Sequence, residues 1–426
     1  MKILFKNADI LHRGPEGYTV LKNGFLATDG ALIAFIGESR PRGVFDREID
    51  CSGKLALPGL YNCHTHAAMV ALRGAGSDLP LNRWLRDVIF QREKNIRAET
   101  VLAASRLAIA EMLACGTVSF TDMYFFPEET ARAVEESGVK ANLTKHLQMT
   151  DEGSRARQIR ESVEFFRSYH GAADGRIRVD FGVHAWYTCD FDTVSEYTAL
   201  CAQSGARMHI HLSETDGEMN DCLARCGKTP VQWFRDAGAF RSPVTATHCV
   251  ALTPEDIRIL TENRVGVVHC PTSNMKLGSG PANVPELLRN GIKIALGTDG
   301  AASNNNLNLF EEMHLAALLH KGIFKDPTLL PTRTVLDMAT VNGAAMQGRE
   351  KCGALCEGYR ADLVLLDMNR PHLIPNDDAA ALLVYSAQGG DVCLTMADGK
   401  ILFENGEYKT LDIERVMREA AAVRLF

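Results

Sequence analysis

The length, composition and charge of this chain limit its class. It has 426 residues, 46% hydrophobic and 23% charged, the profile of a folded globular protein with little room for extended disorder. The net charge of −7 is mild, and no cluster of Lys and Arg interleaved with aromatic residues is present, so an electrostatic case for nucleic acid or an anionic membrane is absent. No stretch approaches the roughly 20 apolar residues that span a bilayer.

The cysteines and the N-terminus bear on the compartment. Twelve cysteines are few for a disulfide scaffold of this length, and the segment from Met1 to Lys6 soon turns polar instead of forming the core of a signal peptide. We therefore expect reduced thiols and a cytoplasmic location. The pairs Cys222/Cys226 and Cys352/Cys356 lack the two-residue spacing of zinc ribbons, so structural zinc is not favoured there.

Both ends of the chain have the pattern of a small antiparallel sheet. Residues 1–56 contain short alternating strands separated by turns with Gly, as in Gly24 to Gly37. The pattern returns in Ala361 to Asp367 and in Val392 to Glu404, where Asp398-Gly399 is a strong hairpin signal. We expect the two ends to form one small β-sandwich domain.

Between the two ends, apolar runs alternate with helical patterns. The predicted strands are Leu55 to Leu60, Thr117 to Met123, Val139 to Leu147, Ile177 to Ala185, Ala206 to Leu212, Val244 to Val250, Val265 to Cys270 and Lys293 to Leu296. A doubly wound open sheet would also alternate, but eight strand-then-helix units favour an α/β fold of the distorted (β/α)8 TIM-barrel type. We expect a barrel over residues 57–356, flanked by a domain of residues 1–56 plus 357–426.

Residues able to hold a metal stand at the ends of several predicted strands. His64 and His66 are one residue apart, so on a strand both side chains face the same way. His209 and His211 share that spacing, but His209 sits deeper in its strand and is favoured as a packed residue. Asp299, between Gly297 and Gly300, offers a carboxylate, although Thr-Asp-Gly alone would be a turn.

Two more polar residues occupy the same kind of position. Glu214, three residues beyond His211, can deliver or remove a proton near a metal, the alternative being a solvated loop glutamate. His248 could equally be a hydrogen-bonded histidine at a strand end. Motifs of other enzymes are missing, including His-Glu-x-x-His, Gly-x-Ser-x-Gly and a complete phosphate loop. These histidines and carboxylates all stand at the C-terminal ends of predicted barrel strands, and this shared position favours hydrolysis at one metal centre.

Five segments, in their order and spacing, resemble the amidohydrolase superfamily, and within it the methylthioadenosine/S-adenosylhomocysteine deaminase branch. The resemblance covers essentially the whole chain. The segments are Pro58 to His66, His211 to Glu214, His248-Cys249, His269 to Gly278 and Gly297 to Asn304.

The resemblance implies a metal site and catalytic roles. It implies one divalent ion per subunit, Zn²⁺ favoured over Fe²⁺, with His209 outside the ligand set. The implied ligands are His64, His66, His211 and Asp299. It further implies attack of hydroxide on C6 of an adenine ring, with Glu214 protonating N1 and Asp299 passing the water proton to departing ammonia. His248 would hydrogen-bond the hydroxide and the developing oxygen.

The resemblance also implies contacts with a nucleoside. Trp84 resembles an aromatic residue near the nucleoside, and Glu93 resembles the carboxylate that holds the ribose hydroxyls. His184 would contact the purine or sugar, and Ser303 would be a polar contact after the metal-binding aspartate. Without the resemblance, each of these would more simply be a packed or solvated residue.

The residues expected to bind the amino-acid tail of S-adenosylhomocysteine depart from the family pattern. Lys145 stands where an arginine is expected, and lysine cannot form the bidentate fork of a guanidinium. Arg155 is then the predicted tail contact, with Arg157 as the alternative. Adenosylhomocysteine is therefore a less secure substrate than the adenine nucleoside itself.

The expected function is hydrolytic deamination of an adenosine-type nucleoside, namely 5'-methylthioadenosine, S-adenosylhomocysteine or adenosine, to the inosine analogue and ammonia. The alternatives are an aminohydrolase or chlorohydrolase of another nitrogen heterocycle, such as a triazine, pyrimidine or guanine-like ring, and a non-catalytic scaffold. The expected partners are a small nucleoside and water, without nucleic acid or membrane, and the expected assembly is a homo-oligomer.

Overall fold

The computed structural model describes residues 1–14, 17–149, 151, 153–423 and 425. Within these ranges the strands form two hydrogen-bonded sheets, one nine-stranded and one eight-stranded. No helix in these ranges is long and apolar enough to cross a membrane.

The N-terminal part supplies five strands to the nine-stranded sheet. These are β1 (Lys2–Arg13), β2 (Tyr18–Asp29), β3 (Leu32–Gly37), β4 (Arg47–Asp50) and β5 (Lys54–Pro58). The first three pair in antiparallel order, while β4 and β5 run parallel to β1.

The middle of the chain forms the barrel. Its parallel strands, each next to its neighbour in sequence, are β6 (Leu60–Thr65), β7 (Thr117–Met123), β8 (Lys140–Thr144), β9 (Ile177–Val183), β10 (Met208–Leu212), β11 (Val244–His248), β12 (Gly266–His269) and β13 (Ile294–Leu296). Nearly every residue of these strands is buried, as expected where helices cover one face and the barrel core the other. The expected barrel and the separate terminal sheet are thus confirmed.

The helices alternate with these strands. In chain order they are α1 (Leu81–Arg83), α2 (Phe90–Glu93), α3 (Ala98–Ala114), α4 (Pro127–Ser137), α5 (Arg155–Tyr169), α6 (Phe191–Ser204), α7 (Asp216–Cys226), α8 (Pro230–Asp236), α9 (Pro254–Glu262), α10 (Pro271–Lys276), α11 (Val284–Arg289), α12 (Leu309–Phe324), α13 (Thr332–Ala339) and α14 (Val341–Met346). Thr253 caps the N-terminus of α9, and its side chain accepts from the Asp256 amide in a reciprocal capping box. A π-helical turn, Trp84–Ile89, joins α1 to α2.

The C-terminal part completes the nine-stranded sheet. It contributes β14 (Leu363–Asp367), helix α15 (Ala379–Tyr385), β15 (Val392–Ala397), β16 (Lys400–Glu404), β17 (Glu407–Tyr408) and helix α16 (Ile413–Ala422). Strand β14 pairs antiparallel with β5, so the two ends of the chain meet in one sheet with a hydrophobic core of its own. The predicted Asp398-Gly399 hairpin joins β15 to β16; both residues have positive φ, 46° and 72°.

One predicted strand was wrong in its limits. The run from Leu55 to Leu60 spans two strands, because the chain leaves the terminal sheet at Pro58 and enters the barrel at Leu60. Gly59 makes this crossing possible, since a Cβ there would lie 2.5 Å from the Val118 side chain. The amide of Gly59 donates to Asp362 in the terminal sheet, and that of Leu60 donates to Gly116 beside the barrel.

The barrel closes between its first and eighth strands through side chains and loop amides. The Asn62 amide group donates to Thr298 Oγ1 at 2.7 Å and accepts from the Thr298 backbone N–H at 3.0 Å. The Asp299 N–H donates to the His64 carbonyl at 2.9 Å. A Cβ at Gly297 would lie 2.9 Å from the His64 backbone nitrogen, so glycine is needed for this close approach.

Candidate active site

The predicted metal ligands converge at the C-terminal ends of the barrel strands. His64 Nε2 and His66 Nε2 lie 3.4 and 3.3 Å from Asp299 Oδ1, and His211 Nε2 lies 3.2 Å from His64 Nε2. His64 and His66 come from the first strand and its end, His211 from the fifth, and Asp299 from the loop after the eighth. The donor atoms of His64, His66 and Asp299 lie within 4.8 Å of one another, and those of His64, His211 and His248 form a second group of the same size that shares His64.

The other ring nitrogen of each of these histidines is held in place. His66 Nδ1 donates to the Met123 carbonyl, and His211 Nδ1 donates to the His184 carbonyl at 2.7 Å. His64 Nδ1 lies 2.8 Å from His209 Nε2. Such outer contacts fix ring orientation and leave the Nε2 lone pairs free for a metal.

The donor set fits a divalent metal ion. Burial lowers the pKa of His64 to about 4 and lowers the pKa of His211 well below its ordinary value, so both rings are neutral and able to donate a lone pair. Three imidazoles with one carboxylate suit Zn²⁺ and Fe²⁺.

His209 lies below the cluster and belongs to neither of these groups of donor atoms. Its Nε2 contacts His64 Nδ1, and it also lies 3.3 Å from Thr247 Oγ1. The ring stacks on that of His64 with centroids 5.0 Å apart. This position supports the prediction that His209 is packed in the barrel, and the contact with His64 Nδ1 orients the His64 ring.

Asp299 is held by groups on both of its oxygens. Its Oδ2 accepts from Ser273 at 2.6 Å and from Ser303 at 2.8 Å, while Oδ1 accepts from the Gly300 N–H at 2.8 Å. Its φ of 61° lies in the left-handed region, a strained conformation for a non-glycine residue. Ser303 was predicted as a substrate contact; it lines the cavity and also supports Asp299. Ser273 lies in the segment His269 to Gly278, and the sequence alone predicted no role for it.

Glu214 and His248 lie beside the predicted metal ligands. His248 Nε2 is 3.9 Å from Glu214 Oε1, and its Nδ1 lies 2.9 Å from Asn274 Oδ1. Burial raises the pKa of Glu214. Burial opposes the charge on His248, but the carboxylates of Glu214 and Asp299 outweigh it and the pKa of His248 is raised. Both shifts favour the protonated forms of these side chains.

A second buried carboxylate, Glu218, supports Glu214 and escaped the sequence prediction. It lies in the first turn of α7, and its Oε2 accepts the Glu214 backbone N–H at 2.6 Å. Burial raises the pKa of Glu218 to about 7. Helix α7 was not predicted, because Gly217 lies in its first turn and only Met219 and Cys222 are buried.

The cluster forms the floor of a cavity whose lining is mostly apolar and aromatic with a few polar groups, the character typical of small-molecule sites. Its wall carries the predicted nucleoside contacts Trp84, Glu93 and His184. The Trp84 indole donates to the Ala75 carbonyl at 3.0 Å. Burial raises the pKa of Glu93 to about 7, and Glu93 Oε1 accepts from the Tyr124 hydroxyl at 2.8 Å. Tyr124 is a cavity residue that the sequence prediction missed.

The predicted cationic tail contacts are not brought to this cavity. Arg155, at the start of α5, donates to Glu196 on α6 at 2.7 Å and does not line the cavity floor or wall. Lys145 donates to Glu128 at 2.6 Å and lies 4.0 Å from Glu161. Local carboxylates hold both cations, which explains why the expectation for Arg155 departs from the structure.

A parallel barrel with histidines and an aspartate at its strand ends, joined to a sheet from both ends of the chain, defines the class of metal-dependent barrel hydrolases. The model of the amidohydrolase family matches residues 55–402. The chain belongs to the amidohydrolase family and is a hydrolase that acts on C–N bonds.

Three similar proteins illustrate the relationship. A 5-methylthioadenosine/S-adenosylhomocysteine deaminase from Pelotomaculum thermopropionicum is 45% identical, over 98% of this chain and 97% of its own length. A 5'-deoxyadenosine deaminase from Methanosarcina acetivorans is also 45% identical, over 98% and 96%. The solved structure of an adenosine deaminase from Xanthomonas campestris with bound zinc superposes with a TM-score of 0.93 at 30% identity, covering 98% of this chain and 97% of that one.

Proposed function

We propose that this protein is a hydrolytic deaminase of adenosine-type nucleosides. Its substrate would be 5'-methylthioadenosine, S-adenosylhomocysteine, 5'-deoxyadenosine or adenosine, and its products the inosine analogue and ammonia. The observation that carries the proposal is the convergence of the His64, His211 and Asp299 donor atoms on the floor of a cavity whose wall presents Glu93. The names of the two relatives at 45% identity support the same substrate class.

The reaction adds water across C6 of the purine. A C–O bond forms at C6, the bond between C6 and the exocyclic nitrogen breaks, and that nitrogen leaves as ammonia. Glu214, whose pKa is raised by burial, would hold a proton for N1 of the ring. Protonation of N1 makes C6 more electrophilic, so it favours the addition step.

Asp299 and His248 would manage the remaining proton and the developing charge. Asp299, fixed by two serine hydroxyls on Oδ2, would carry the proton from water to the departing ammonia. His248, oriented by Asn274, would hydrogen-bond the oxygen that forms at C6. The negative charge that develops on this oxygen in the transition state would then be stabilised by a hydrogen-bond donor that is already oriented.

The metal would be one divalent ion per subunit, with Zn²⁺ favoured over Fe²⁺. His64, His66, His211 and Asp299 would hold it. When bound, such an ion supplies Lewis acidity that lowers the pKa of water to roughly 7. Metal analysis of protein purified without added metal, with Zn and Fe measured together, tests this identity; neither metal near one equivalent would contradict it.

A substrate panel tests the proposed reaction. Purified protein loaded with Zn²⁺ or Fe²⁺ is mixed with 5'-methylthioadenosine, 5'-deoxyadenosine, adenosine and S-adenosylhomocysteine, and ammonia release is followed beside the change in adenine absorbance. We expect stoichiometric ammonia from at least one of them, and none from Glu214→Gln above about one hundredth of that rate. Failure of every nucleoside with both metals would refute the proposal.

A competing substrate class is another nitrogen heterocycle, such as a triazine, pyrimidine or guanine-like ring. Glu93 separates the two, since a carboxylate on the cavity wall suits a pair of ribose hydroxyls and has no use for a ring without a sugar. Glu93→Ala should raise KM for adenosine and leave any turnover of free heterocycles unchanged. Unchanged kinetics with adenosine would favour the competing class.

The proposal also covers location, assembly and domains. We propose a cytoplasmic protein acting on a small nucleoside and water, with no nucleic acid or membrane partner, and a homo-oligomer in solution; the cysteines described are all free thiols. Light scattering that gives the monomer mass would contradict the assembly. The division into residues 57–356 and residues 1–56 with 357–426 is supported by the separate core of the terminal sheet, and limited proteolysis tests it.

A further inference from the structure

A second cavity lies at the opposite end of the barrel from the proposed metal site. Its lining comes from the first residues of β11 and β12, from the turns before β10 and β13, and from the ends of α9 and α14. Among the described residues, it shares none with the lining of the catalytic cavity. We call it the basal cavity; a ligand bound there would not compete with the nucleoside.

The charged residues that line the basal cavity are all cations. They are Arg207, Arg264 and Lys293, and no carboxylate of the described residues joins them. In the described part of the chain, none of these three side chains has an ion pair or a hydrogen bond. The chain as a whole carries a net charge of −7, so this positive region stands out. Unpaired cations gathered in one concave region attract an anion.

Arg207 has a donor that an anion would satisfy. Its side chain is half-buried, and its Nε is buried without a hydrogen-bond partner among the described residues. A buried N–H without a partner costs free energy. The guanidinium presents its donors in a planar fork that fits the oxygens of a phosphate group, so a phosphate beside Arg207 would supply the missing acceptor.

A second guanidinium lies close behind Arg207. Gly348 packs against both, since a Cβ added there would lie 2.9 Å from Arg178 Nη1 and 3.3 Å from Arg207 Cδ. Burial, followed by the charge of Arg178, lowers the pKa of the neighbouring Arg349. The positive charge around the basal cavity therefore extends beyond its lining.

Arg264 occupies a backbone position that favours glycine. It follows the end of α9, and its φ of 54° lies in the left-handed region. The equivalent turns after α6 and α11 place Gly205 and Gly291 there, with φ of 68° and 77°. Glycine would fit this turn with less strain than arginine does. A strained arginine that lines a cavity suggests that its side chain is kept for binding.

We propose that the basal cavity binds a phosphate group, held by Arg207, Arg264 and Lys293. The phosphate is either free inorganic phosphate or part of a small phosphate monoester, whose organic part would lie against apolar lining residues such as Leu260 and Ile292. Binding stabilises the folded protein, because only the folded chain brings these cations together. The proposal does not depend on the deaminase function.

Calorimetric titration of the metal-loaded protein with inorganic phosphate, and separately with phenyl phosphate, tests this site in a phosphate-free buffer at constant ionic strength. We expect saturable binding. Arg207→Gln and Arg264→Gly should each weaken it about tenfold or more, because a charge-assisted hydrogen bond is lost. Lys293→Gln should weaken it by a smaller factor, since an ammonium group cannot form a bidentate contact. Tighter binding of phenyl phosphate supports a monoester as the ligand, and equal or weaker binding supports free phosphate.

Two variants control for folding and for charge alone. Without phosphate, Arg264→Gly should keep or raise the midpoint of thermal unfolding, because glycine fits the left-handed backbone, and phosphate should no longer raise that midpoint. Arg289→Gln removes a cation from the last turn of α11 that pairs with Glu286 at 2.7 Å and lies outside the cavity lining. This variant should bind phosphate as the wild type does.

Two results would overturn the proposal. The first is that neither phosphate nor phenyl phosphate binds the wild-type protein saturably up to roughly 10 mM. The second is that Arg207→Gln and Arg264→Gly bind phosphate as tightly as the wild type, which would place the anion elsewhere, as at the metal. A loss of stability in Arg264→Gly without any effect of phosphate on the wild type would show that the cation only stabilises the C-terminus of α9.

Discussion

The floor and the wall of the catalytic cavity are built in different ways. The floor residues sit on strand ends and in the loops that follow them, and most have a second polar contact, as in His211 with the His184 carbonyl or Asp299 with two serines. The wall segment from Leu81 to Glu93 consists of two short helices and a π-helical turn, and lines the cavity largely with apolar side chains. The catalytic residues are thus held by the rigid strands of the barrel, whereas substrate specificity depends on the wall segment, whose sequence can vary without disturbing the barrel.

The largest effect is expected on the floor. Asp299→Ala removes a metal ligand and a proton carrier together, so kcat should fall by roughly 10⁴-fold or more, with loss of bound metal. Steady-state kinetics and metal analysis check this result. The exposed Asp192 provides a control, since Asp192→Ala should retain both activity and metal. Full metal occupancy in Asp299→Ala would show that the ligand set is different.

Substitution of the neighbouring carboxylates Glu214 and Glu218 should lower kcat by different factors. Glu214→Gln should lower kcat by about 10²- to 10⁴-fold with metal retained, because the proton donor is lost. Glu218→Gln keeps an oxygen for the Glu214 N–H and should lower kcat only about tenfold. It should also move the alkaline limb of the pH profile to lower pH, because the Glu218 charge raises the pKa of its neighbour His248. Equal losses in the two variants would contradict distinct roles.

The support of the floor can be tested without touching a ligand. His209→Ala removes the partner of His64 Nδ1 and should weaken metal affinity about 10- to 100-fold, the usual effect of losing such a contact. Competition with a chelator measures this affinity. His170→Ala, outside the barrel interior, serves as the control. If His209→Ala bound metal as tightly as the wild type, the floor would not depend on its outer contacts.

The wall should give the smallest and most selective effect. Tyr124→Phe removes the hydrogen bond to Glu93 and should raise KM for adenosine about five- to tenfold with kcat nearly unchanged. The 2'-deoxy nucleoside, with one hydroxyl fewer, should be affected less. A matching loss in kcat would place Tyr124 with the floor rather than the wall.

The pH dependence of KM sharpens the same point. The pKa of Glu93 is raised by burial to about 7, so its carboxylate forms as pH rises through that value. An ionised carboxylate accepts both ribose hydroxyls, so KM should fall between about pH 6 and 8. The Tyr124 hydrogen bond lowers the pKa of Glu93, so Tyr124→Phe should move the midpoint to higher pH. A flat profile in the wild type would exclude Glu93 as the titrating group.

The sequence predicted those parts of the site that depend on order along the chain. His64, His66, His211 and Asp299 could be placed because strand ends of a parallel barrel share one face. The sequence therefore predicted that these four side chains converge. It did not predict the limits of the first barrel strand, because the apolar pattern continues from the terminal sheet through Gly59 into the barrel.

The missed residues share a physical reason. Tyr124, Glu218 and Ser273 act on partners through hydrogen bonds whose geometry depends on how separate segments pack, and no spacing rule encodes that. The position of Arg155 outside the cavity has the same origin, because Glu196 on the next helix holds its guanidinium. Roles that follow from a position at a strand end could be predicted from the sequence. Roles that depend on a hydrogen-bond partner from another segment could not.

The closure of the barrel has a consequence for the protein without its metal. The first and eighth strands meet through Asn62, Thr298 and the Asp299 amide, and not through a full ladder in the described structure. The proposed ligands lie on both sides of this seam, so an ion held by His64 and Asp299 would stabilise the contact between the first and eighth strands. Removal of the ion should open the barrel at the seam first, and the amides of Ile294 to Asp299 should then exchange with deuterium sooner than those of the middle strands.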